Sequence, residues 1–355
     1  MGGAYTIGVI PGDGIGPELV EAAVAVLDAA CAGSVELTYR YEDGGAGTYR
    51  RTGAALAGEA LERIRGDYDA VLKGPVGLPG VRRPDGTEAG VLGGILRTGL
   101  DAYANVRPIR LLPGARTPLA GDAGPIDYVI VRENTEGLYA SRGLGVGNTH
   151  AMTDQMLMTR PGVQRVVRYA FDLARRRGGA PADGVHRVTC VDKSNVLRGY
   201  AFFRRVFDEV AAEYPDVAAD HRYADAAGHD LVADPGRFDV LVMENFLGDV
   251  LSDVGAATVG GLGMCPSGNV GAAAAYFEPI HGSAPALAGR DAANPTSQIL
   301  SAALMLAHLG EHDAARRVDR AVTAAYASGA VRLTAAGTPR AGTRAAAGAI
   351  VAALD

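Results

Sequence analysis

Short apolar segments rich in Val and Ile alternate along the chain with longer segments whose apolar residues recur at helical spacing. The short segments predict buried strands at residues 5–10, 68–73, 128–132, 187–191 and 238–243. The longer segments predict helices at residues 17–31, 163–177, 197–213 and 296–308. This alternation is typical of an α/β protein with a largely parallel, buried sheet.

Two stretches interrupt the alternation. Residues 143–150 (GLGVGNTH) are rich in glycine and predict a protruding hairpin. Residues 334–344 (TAAGTPRAGTR) have the composition of a polar loop near the carboxyl end. The sequence contains no internal repeat and no low-complexity linker.

The composition limits the class of protein. Of 355 residues, 48% are hydrophobic and 21% are charged, so the chain can bury a large core and is not disordered. A net charge of −6 argues against a nucleic-acid surface, which needs a concentrated basic face. Cys31, Cys190 and Cys265 form no CxxC pair, which is typical of a reducing compartment. With no signal-peptide pattern and no apolar run of membrane-spanning length, we expect a cytoplasmic protein without nucleic-acid or membrane partners.

The motif Gly12-Asp13-Gly14-Ile15-Gly16 follows the first predicted strand and opens the first predicted helix. Its glycines permit positive φ and a close approach of the backbone to a ligand, and a helix N-terminus favours anions. The spacing is not GxGxxG, so the dinucleotide-binding fingerprint is absent. By itself the motif fits a plain strand–helix turn equally well.

A second motif brings two carboxylates onto one helix face. Asp249 and Asp253 are four residues apart, and on a helix they therefore lie one above the other. They repel each other unless a cation lies between them, and carboxylate oxygens suit Mg²⁺ or Mn²⁺. The alternative is a solvated acidic face, which the neighbouring Leu, Val and Phe residues disfavour.

Several further side chains have suitable chemistry for a site. Arginines near strand ends and loops can bind carboxylates in a bidentate manner, although each alone also fits a surface cation; they are Arg97, Arg107 and Arg132. Tyr139 and Lys193 are candidates for proton transfer. Lys73 and Lys193 are the chain's two lysines among many arginines, which favours roles that arginine cannot fill.

Taken in order, these segments resemble the isocitrate/isopropylmalate dehydrogenase family, the metal-dependent β-decarboxylating dehydrogenases of malate derivatives. The resemblance covers about residues 5–350, and its specific segments run almost from end to end. They are IPGDGIGPE (10–18), LKGP (72–75), LRTGLDAYANVRP (96–108), VRENTEGLY (131–139), DKSNVL (192–197), MENFLGDVLSD (243–253) and FEPIHGSAPALAG…ANP (277–295).

The resemblance implies a two-domain α/β subunit with an isopropylmalate-dehydrogenase-like fold, distinct from the Rossmann fold. The first, cofactor-side domain is discontinuous and is expected at residues 1–105 plus 256–355. The second domain is expected at residues 106–255, with an arm at about 139–160 that clasps a partner subunit. The implied assembly is a homodimer with shared active sites.

The implied reaction is the NAD(P)-dependent oxidative decarboxylation of a 3-substituted malate to a 2-oxo acid and CO₂. Lys193, from the other subunit and helped by Asp225, takes the proton of the 2-hydroxyl, and Tyr139 protonates the resulting enolate.

The implied substrate ligands are Arg97, Arg107, Arg132, Lys73 and Asn195. The implied ligands of Mg²⁺ or Mn²⁺ are Asp249, Asp253 and, from the other subunit, Asp225. The implied cofactor-binding residues are Ile15, His281, Gly282, Ser283, Ala284, Pro285, Ala286 and Asn294.

The chain departs from the family where the substrate is selected. Isopropylmalate members carry a leucine pair at the positions of Gly93 and Gly94, and isocitrate members carry Ser and Asn at Val91 and Gly93. LKGP and VRENTEGLY nevertheless resemble the isocitrate and homoisocitrate branch. We therefore expect an anionic 3-substituent, as in isocitrate, homoisocitrate or a phosphonate analogue, within reach of Arg82, Arg83 or Lys73. The alternatives are 3-isopropylmalate, and tartrate or D-malate, which would leave the glycine space unused.

The cofactor preference is also altered. Ala286 stands where NAD-dependent members carry an Asp that accepts the ribose 2′-hydroxyl, and Ala336 replaces a second Asp. Arg340 and Arg344 fit a 2′-phosphate, but the Lys-Tyr pair of NADP-dependent members is missing. We expect NAD and keep NADP as the alternative. A non-catalytic regulatory subunit is disfavoured, because such subunits typically lose members of the metal or proton-transfer set and this chain keeps all of them.

Overall fold

The structure is a computed structural model that describes residues 2–84, 86–119 and 124–354. Helices and strands are interleaved throughout these residues, so the predicted α/β class is confirmed. The chain divides into two compact units. Unit 1 comprises Met1–Asp101, Leu112–Arg116 and Gly260–Asp355, and unit 2 comprises Ala102–Leu111 and Thr117–Val259. The assignment of a cofactor-side domain and a second domain stays a prediction.

The strands are short and the helices longer, as in other α/β proteins. The strands are β1 (Ala4–Ile10), β2 (Glu36–Tyr41), β3 (Ala70–Lys73), β4 (Ala104–Arg110), β5 (Asp127–Glu133), β6 (Val146–Gly147), β7 (Met152–Thr153), β8 (Arg187–Asp192), β9 (Ala218–Tyr223), β10 (Val240–Met243), β11 (Pro266–Val270) and β12 (Ala275–Pro279). The helices are α1 (Gly16–Cys31), α2 (Ala46–Thr52), α3 (Gly58–Gly66), α4 (Leu92–Gly99), α5 (Arg160–Ala174), α6 (Arg198–Ala211), α7 (Ala224–Ala233), α8 (Asn245–Thr258), α9 (Thr296–His308), α10 (His312–Ala327) and α11 (Thr343–Val351).

Each unit has a mostly parallel set of strands. In unit 1 the strand order is β2-β1-β3-β12-β11, and only the β11–β12 pair of this set is antiparallel. In unit 2 the order is β4-β5-β10-β8-β9, and here β4 and β5 are antiparallel. Strands β3 and β10 are buried along their whole length, which explains their near-continuous apolar sequence.

All the predicted strands and helices are present, with ends that differ by at most three residues. The largest difference is at α5, which begins at Arg160 rather than at residue 163. Thr159 caps this helix, because its hydroxyl accepts a hydrogen bond from the Gly162 amide, and a proline follows in the first turn. The predictions missed β2 and β9, which are only partly buried, and β11, which begins with a proline. They also missed β4, β12 and the helices α2, α3, α4, α7 and α10.

The structure confirms the hairpin predicted near residues 143–150 and corrects the loop predicted at residues 334–344. Strands β6 and β7 pair antiparallel, so a hairpin is present, but it extends to Thr153. The predicted loop at 334–344 is wrong at its end, because α11 already begins at Thr343. The Thr343 amide donates to the carbonyl of Asp291 and its hydroxyl donates to the carbonyl of Ala293, which fixes the start of the helix.

The three cysteines and the lengths of the helices can be compared with the predictions from composition. All three cysteines are buried, and burial raises the pKa of Cys31 to about 11 and that of Cys190 well above its ordinary value. They are therefore inert thiols that pack like small apolar residues. None of the helices within the described residues is long and apolar enough to cross a membrane.

Candidate active site

Unit 2 concentrates polar side chains around the end of β5 and the start of α8. Asn105 and Arg107 point to the same face of β4 because they are two residues apart, and Asn105 pairs with Arg132 across the β4–β5 ladder. Helix α8 follows β10 directly. One face of this helix carries four polar side chains at helical spacing, the buried Asn245 and Ser252 and the more exposed Asp249 and Asp253.

Two of the predicted arginines lie in this cluster, and polar side chains fix both guanidinium groups. Arg132 is fully buried, and its Nε and Nη2 donate to Asn245 Oδ1 at 2.9 and 2.7 Å. Arg132 Nη1 donates to Asp249 Oδ1. Arg107 Nε donates to Asn105 Oδ1 and its Nη1 donates to Ser252 Oγ, each at 2.6 Å. These contacts hold the two cations in place for a carboxylate ligand.

Sequence reasoning missed the three residues that position these arginines, Asn105, Ser252 and Asn245. The helical spacing of Asn245 and Ser252 with Asp249 was the available signal. Gly248 was also missed, because the need for glycine at this position depends on its contact with Arg132. A Cβ at Gly248 would lie 2.6 Å from Arg132 Cβ, so only glycine leaves room for the buried arginine.

The predicted carboxylates Asp249 and Asp253 lie in the same cluster. Asp249 Oδ1 is 3.4 Å from Arg107 Nη2, and Asp253 Oδ1 is 3.8 Å from Arg107 Nη1. Burial raises the pKa of Asp253, and repulsion by Asp249 raises it further. These two oxygen donors fit a hard divalent cation, which also takes water ligands. Within the described chain, however, no three His, Cys, Asp or Glu side chains gather into a metal site.

Tyr139 joins the cluster through its hydroxyl, which donates to Asp249 Oδ2 at 2.8 Å. It lies on a short 3₁₀ helix, Leu138–Ser141, whose first amide donates to Glu244 Oε1. Burial raises the pKa of Tyr139, the hydrogen bond to Asp249 raises it further, and Arg132 and Arg142 partly oppose both effects. The phenol therefore carries its proton at neutral pH and is able to donate it.

Lys193 and Asp225 form a separate pair in unit 2. Lys193 Nζ donates to Asp225 Oδ1 at 2.6 Å, and this hydrogen bond lowers the pKa of Asp225. The loop that carries Lys193 is fixed by the buried Asp192, whose carboxylate accepts from the Ser194 amide and from the Arg204 guanidinium. Asn195, on the same loop, is exposed. The structure therefore brings Lys193 and Asp225 together as two members of the predicted set.

In unit 1 the backbone of the glycine motif packs against another loop of the same chain. Gly14 has φ +58°, and a Cβ there would lie 2.0 Å from the carbonyl oxygen of Ser283. The Ile15 amide donates to that same oxygen at 2.8 Å. The close approach expected of this motif is therefore made to the loop at Ser283, and the glycine joins the turn to that loop.

Asp13, in the same motif, is buried and accepts hydrogen bonds from three backbone amides. Its carboxylate oxygens lie 2.7 Å from the Ala46 amide and 2.8 Å from the amides of Gly47 and Gly77. The carboxylate thereby links the motif to the start of α2 and to the loop after β3. Asp13 therefore has a structural role that sequence reasoning did not identify.

A pocket of about 310 Å³ in unit 1 lies beside this turn. Five of the predicted cofactor residues line it, namely Ile15, His281, Gly282, Ala284 and Asn294, and Ser283, Pro285 and Ala286 belong to the same loop. Ala336, which replaces the second Asp of the family, also lines the pocket, and the predictions missed Leu262, Gly263, Leu287, Ala293, Gly337 and Thr338. Burial lowers the pKa of His281, so its imidazole is neutral at physiological pH. This apolar lining with one amide fits the adenosine part of a nicotinamide cofactor.

The other predicted substrate ligands, Arg97 and Lys73, also lie in unit 1. Arg97 is on α4, four residues after Gly93, and is half-buried. Lys73 is almost fully buried, with Nζ donating to Glu278 Oε2 at 2.5 Å and to the Gly74 carbonyl at 3.0 Å. Asn269 Nδ2 holds the other oxygen of Glu278 at 3.1 Å. The charge of Lys73 is therefore paired inside unit 1, and its role as a substrate ligand stays a prediction.

Unit 2 thus contains an arginine–carboxylate–tyrosine cluster, and unit 1 contains a pocket whose lining fits an adenosine. The sequence profile described as isocitrate/isopropylmalate dehydrogenase matches residues 6–343. The chain belongs to the isocitrate/isopropylmalate dehydrogenase family.

Named relatives lie on both branches of the family. A 3-isopropylmalate dehydrogenase of Leifsonia xyli subsp. xyli is 47% identical over 327 residues, covering 89% of this chain and 88% of that protein. A 3-isopropylmalate dehydrogenase of Mycobacterium tuberculosis is 45% identical over 330 residues, covering 91% and 94%. The crystal structure of isocitrate dehydrogenase from Methylococcus capsulatus superposes with a TM-score of 0.86 at 38% identity and covers 99% of both chains.

Membership of the family establishes the class of reaction. The chain is an NAD(P)-dependent β-decarboxylating dehydrogenase, an oxidoreductase that acts on a CH–OH group. At the level of the family, the reaction is the oxidative decarboxylation of 3-substituted malates.

Proposed function

We propose that two copies of this chain build shared active sites that oxidise and decarboxylate a 3-substituted malate with NAD and Mg²⁺ or Mn²⁺. The observation that carries the proposal is the cluster in unit 2, in which Arg107, Arg132, Tyr139, Asp249 and Asp253 lie together. It combines cations for the malate carboxylates, oxygen ligands for a divalent metal and a phenol that carries its proton.

The chain's own residues have distinct roles in this proposal. Arg107 and Arg132 bind the malate carboxylates and fix the orientation of the substrate. Lys193 takes the proton of the 2-hydroxyl as the hydride leaves C2, and Tyr139 gives a proton to C3 once the carboxylate has left as CO₂. When bound, the metal held by Asp249 and Asp253 supplies a Lewis acid, and the nicotinamide accepts the hydride.

The shared site is supported by how the predicted metal ligands are distributed. Asp249 and Asp253 lie with Tyr139, whereas Asp225 lies with Lys193, and no three carboxylates gather within the described part of one chain. A second copy that supplies Lys193 and Asp225 would complete the set. Exposed apolar side chains on the arm, including Leu144, Val146 and Met152, are further support for a partner of the same kind.

NAD is the proposed cofactor, and NADP is the alternative. No carboxylate lines the pocket among the described residues, so the usual acceptor for the ribose 2′-hydroxyl is missing. The cation that fits a 2′-phosphate, Arg344, lies close to Glu18, which offsets its charge. The balance favours NAD.

3-Isopropylmalate is the first candidate substrate, because the most similar relatives described above carry that name. The support is a likeness of 45–47% identity over about nine-tenths of the chain. D-Malate and tartrate remain alternatives with smaller 3-substituents.

An anionic 3-substituent is the second candidate, and one observation favours it. A Cβ at Gly93 would lie 3.9 Å from the guanidinium carbon of Arg97, in ordinary van der Waals contact. A larger apolar residue at position 93 would therefore pack its apolar surface against this guanidinium. A carboxylate or phosphonate gains from a neighbouring guanidinium, whereas an isopropyl group does not.

The experiment that tests the proposal is a panel of malates assayed with Mn²⁺ and each cofactor. The panel contains 3-isopropylmalate, isocitrate, homoisocitrate, phosphonomethylmalate, D-malate and tartrate. We expect reduction of NAD and release of CO₂ with at least one 3-substituted malate, and the ranking of kcat/KM assigns the substituent. Absence of turnover with every member of the panel would overturn the proposed function.

Filling the space at Gly93 and Gly94 tests the second candidate. The double variant Gly93→Leu, Gly94→Leu should lower kcat/KM for isocitrate or phosphonomethylmalate more than for 3-isopropylmalate. The expected discrimination is about 10- to 200-fold, because a desolvated anion loses its partner while an alkyl group gains about 0.8 kcal/mol per buried methylene.

Thermal melting of the double variant serves as the control, since a folding defect would lower both activities equally. The matched comparison is Gly58→Leu, at an open position on α3 where a side chain meets nothing within 4 Å. A wild type that prefers 3-isopropylmalate over every anionic analogue contradicts the second candidate and leaves the first in place.

A further inference from the structure

We propose that Arg142 is a specificity-determining residue that favours malates with a negatively charged 3-substituent. The inference rests on the proposed function, because it takes Tyr139 as the residue that protonates C3 of the substrate. None of the family motifs quoted above includes Arg142; it follows the last residue of VRENTEGLY by three positions.

Arg142 is held against Tyr139 by local backbone geometry. The 3₁₀ helix Leu138–Ser141 ends just before it, and the Arg142 amide donates to the Tyr139 carbonyl oxygen at 3.2 Å. Residues three apart in a 3₁₀ helix lie above one another. The guanidinium carbon of Arg142 accordingly lies 5.5 Å from the centroid of the Tyr139 ring, a distance at which the ring attracts a cation.

A second cation, Arg132, lies at the same distance from this ring, 5.5 Å. The two arginines differ in how far a ligand can approach them. Arg132 is fully buried, whereas Arg142 is exposed. Phe246 packs edge-on against the ring at 6.1 Å and helps to fix its orientation. Arg142 is thus the accessible cation beside the proton donor.

The reaction itself places the 3-substituent near this cation. A residue that protonates C3 must come within hydrogen-bonding reach of that carbon, and the 3-substituent is bonded to the same carbon. The substituent therefore lies next to Tyr139, within the length of an arginine side chain packed on its ring. A carboxylate or phosphonate accepts two parallel hydrogen bonds from a guanidinium, whereas an alkyl group gains none.

The test compares substrate classes in Arg142→Gln and Arg142→Lys. The measured quantity is the ratio of kcat/KM for isocitrate or phosphonomethylmalate to kcat/KM for 3-isopropylmalate, at saturating Mn²⁺ and cofactor. We expect this ratio to fall about tenfold or more in Arg142→Gln and to fall less in Arg142→Lys, which keeps the charge but not the two parallel hydrogen bonds. The matched control is Arg205→Gln, which removes a cation lying 5.4 Å from the Phe202 ring on α6, and its ratio should equal that of the wild type.

The outcomes separate the inference from the proposed function. An equal loss with both substrate classes in Arg142→Gln would mean that Arg142 only supports the structure, and would overturn the inference. Turnover of 3-isopropylmalate by the wild type, with none for any anionic analogue, would overturn the inference and leave the proposed function intact. No turnover of any 3-substituted malate would overturn the proposed function itself, and the inference with it.

Discussion

Mixing Lys193→Ala protein with Asp249→Asn protein, each inactive alone, should restore about a quarter of the wild-type activity. In the proposed dimer, one site takes Lys193 from the first chain and Asp249 from the second, and the other site takes the reverse. A heterodimer of the two variants therefore has one intact site and one site with both substitutions. Random exchange makes half of the dimers heterodimers, which gives about a quarter of the original sites.

The recovery should stand out because each single variant starts from very low activity. Loss of a proton-transfer group typically lowers the rate by about 10² to 10⁴, and loss of a metal ligand removes a charge from the cation. The control mixes Lys193→Ala with Asp225→Asn protein, which should recover nothing, because both residues come from the same chain in the proposed site. If subunit exchange is demonstrated by mass and activity still fails to return, the shared site is wrong.

Removal of divalent metal by a chelator should abolish turnover, and Mg²⁺ or Mn²⁺ should restore it. Asp249 and Asp253 supply oxygen ligands, and without a metal ion they repel each other and the negative charge of the substrate. Calorimetric titration of the apoprotein with Mn²⁺ gives a readout that does not depend on activity. Asp249→Asn should weaken this binding by about 10- to 100-fold or more, because an anionic ligand is lost.

A carboxylate outside the cluster provides the comparison for the metal prediction. Asp216 pairs with Arg175 at the surface, and Asp216→Asn should leave Mn²⁺ affinity and the metal dependence of the rate unchanged. Full activity in excess chelator, or equal Mn²⁺ affinities for Asp249→Asn and Asp216→Asn, would refute the assignment of the metal ligands.

Local features of the sequence predicted most of the fold. The strands and helices follow from periodicity and composition, which depend on residues a few positions apart. The common face of Asp249 and Asp253 follows from the same periodicity, because four residues complete about one helical turn. The ordered motifs sufficed to indicate the family, and its fold comes with it.

Within each unit, only the tertiary structure decided which partners these residues have. Lys73, a predicted substrate ligand, pairs with Glu278, 205 positions away, because β12 pairs with β3 in the sheet. Gly14 lies against the Ser283 carbonyl, which is also distant in the sequence. Tyr139 meets Asp249 across 110 positions, and Arg132 meets Asn245 across 113.

The physical reason is that these contacts depend on strand order and helix packing, which bring distant residues together only after the chain has folded. A local pattern specifies the face on which a side chain lies, and the fold specifies what lies opposite that face. The sequence by itself therefore determined the predicted strands and helices, the family and the chemical types of the site residues. The tertiary structure decided that Arg107 and Arg132 are held with Asp249, that Lys193 is paired with Asp225, and that Arg142 lies over the ring of Tyr139.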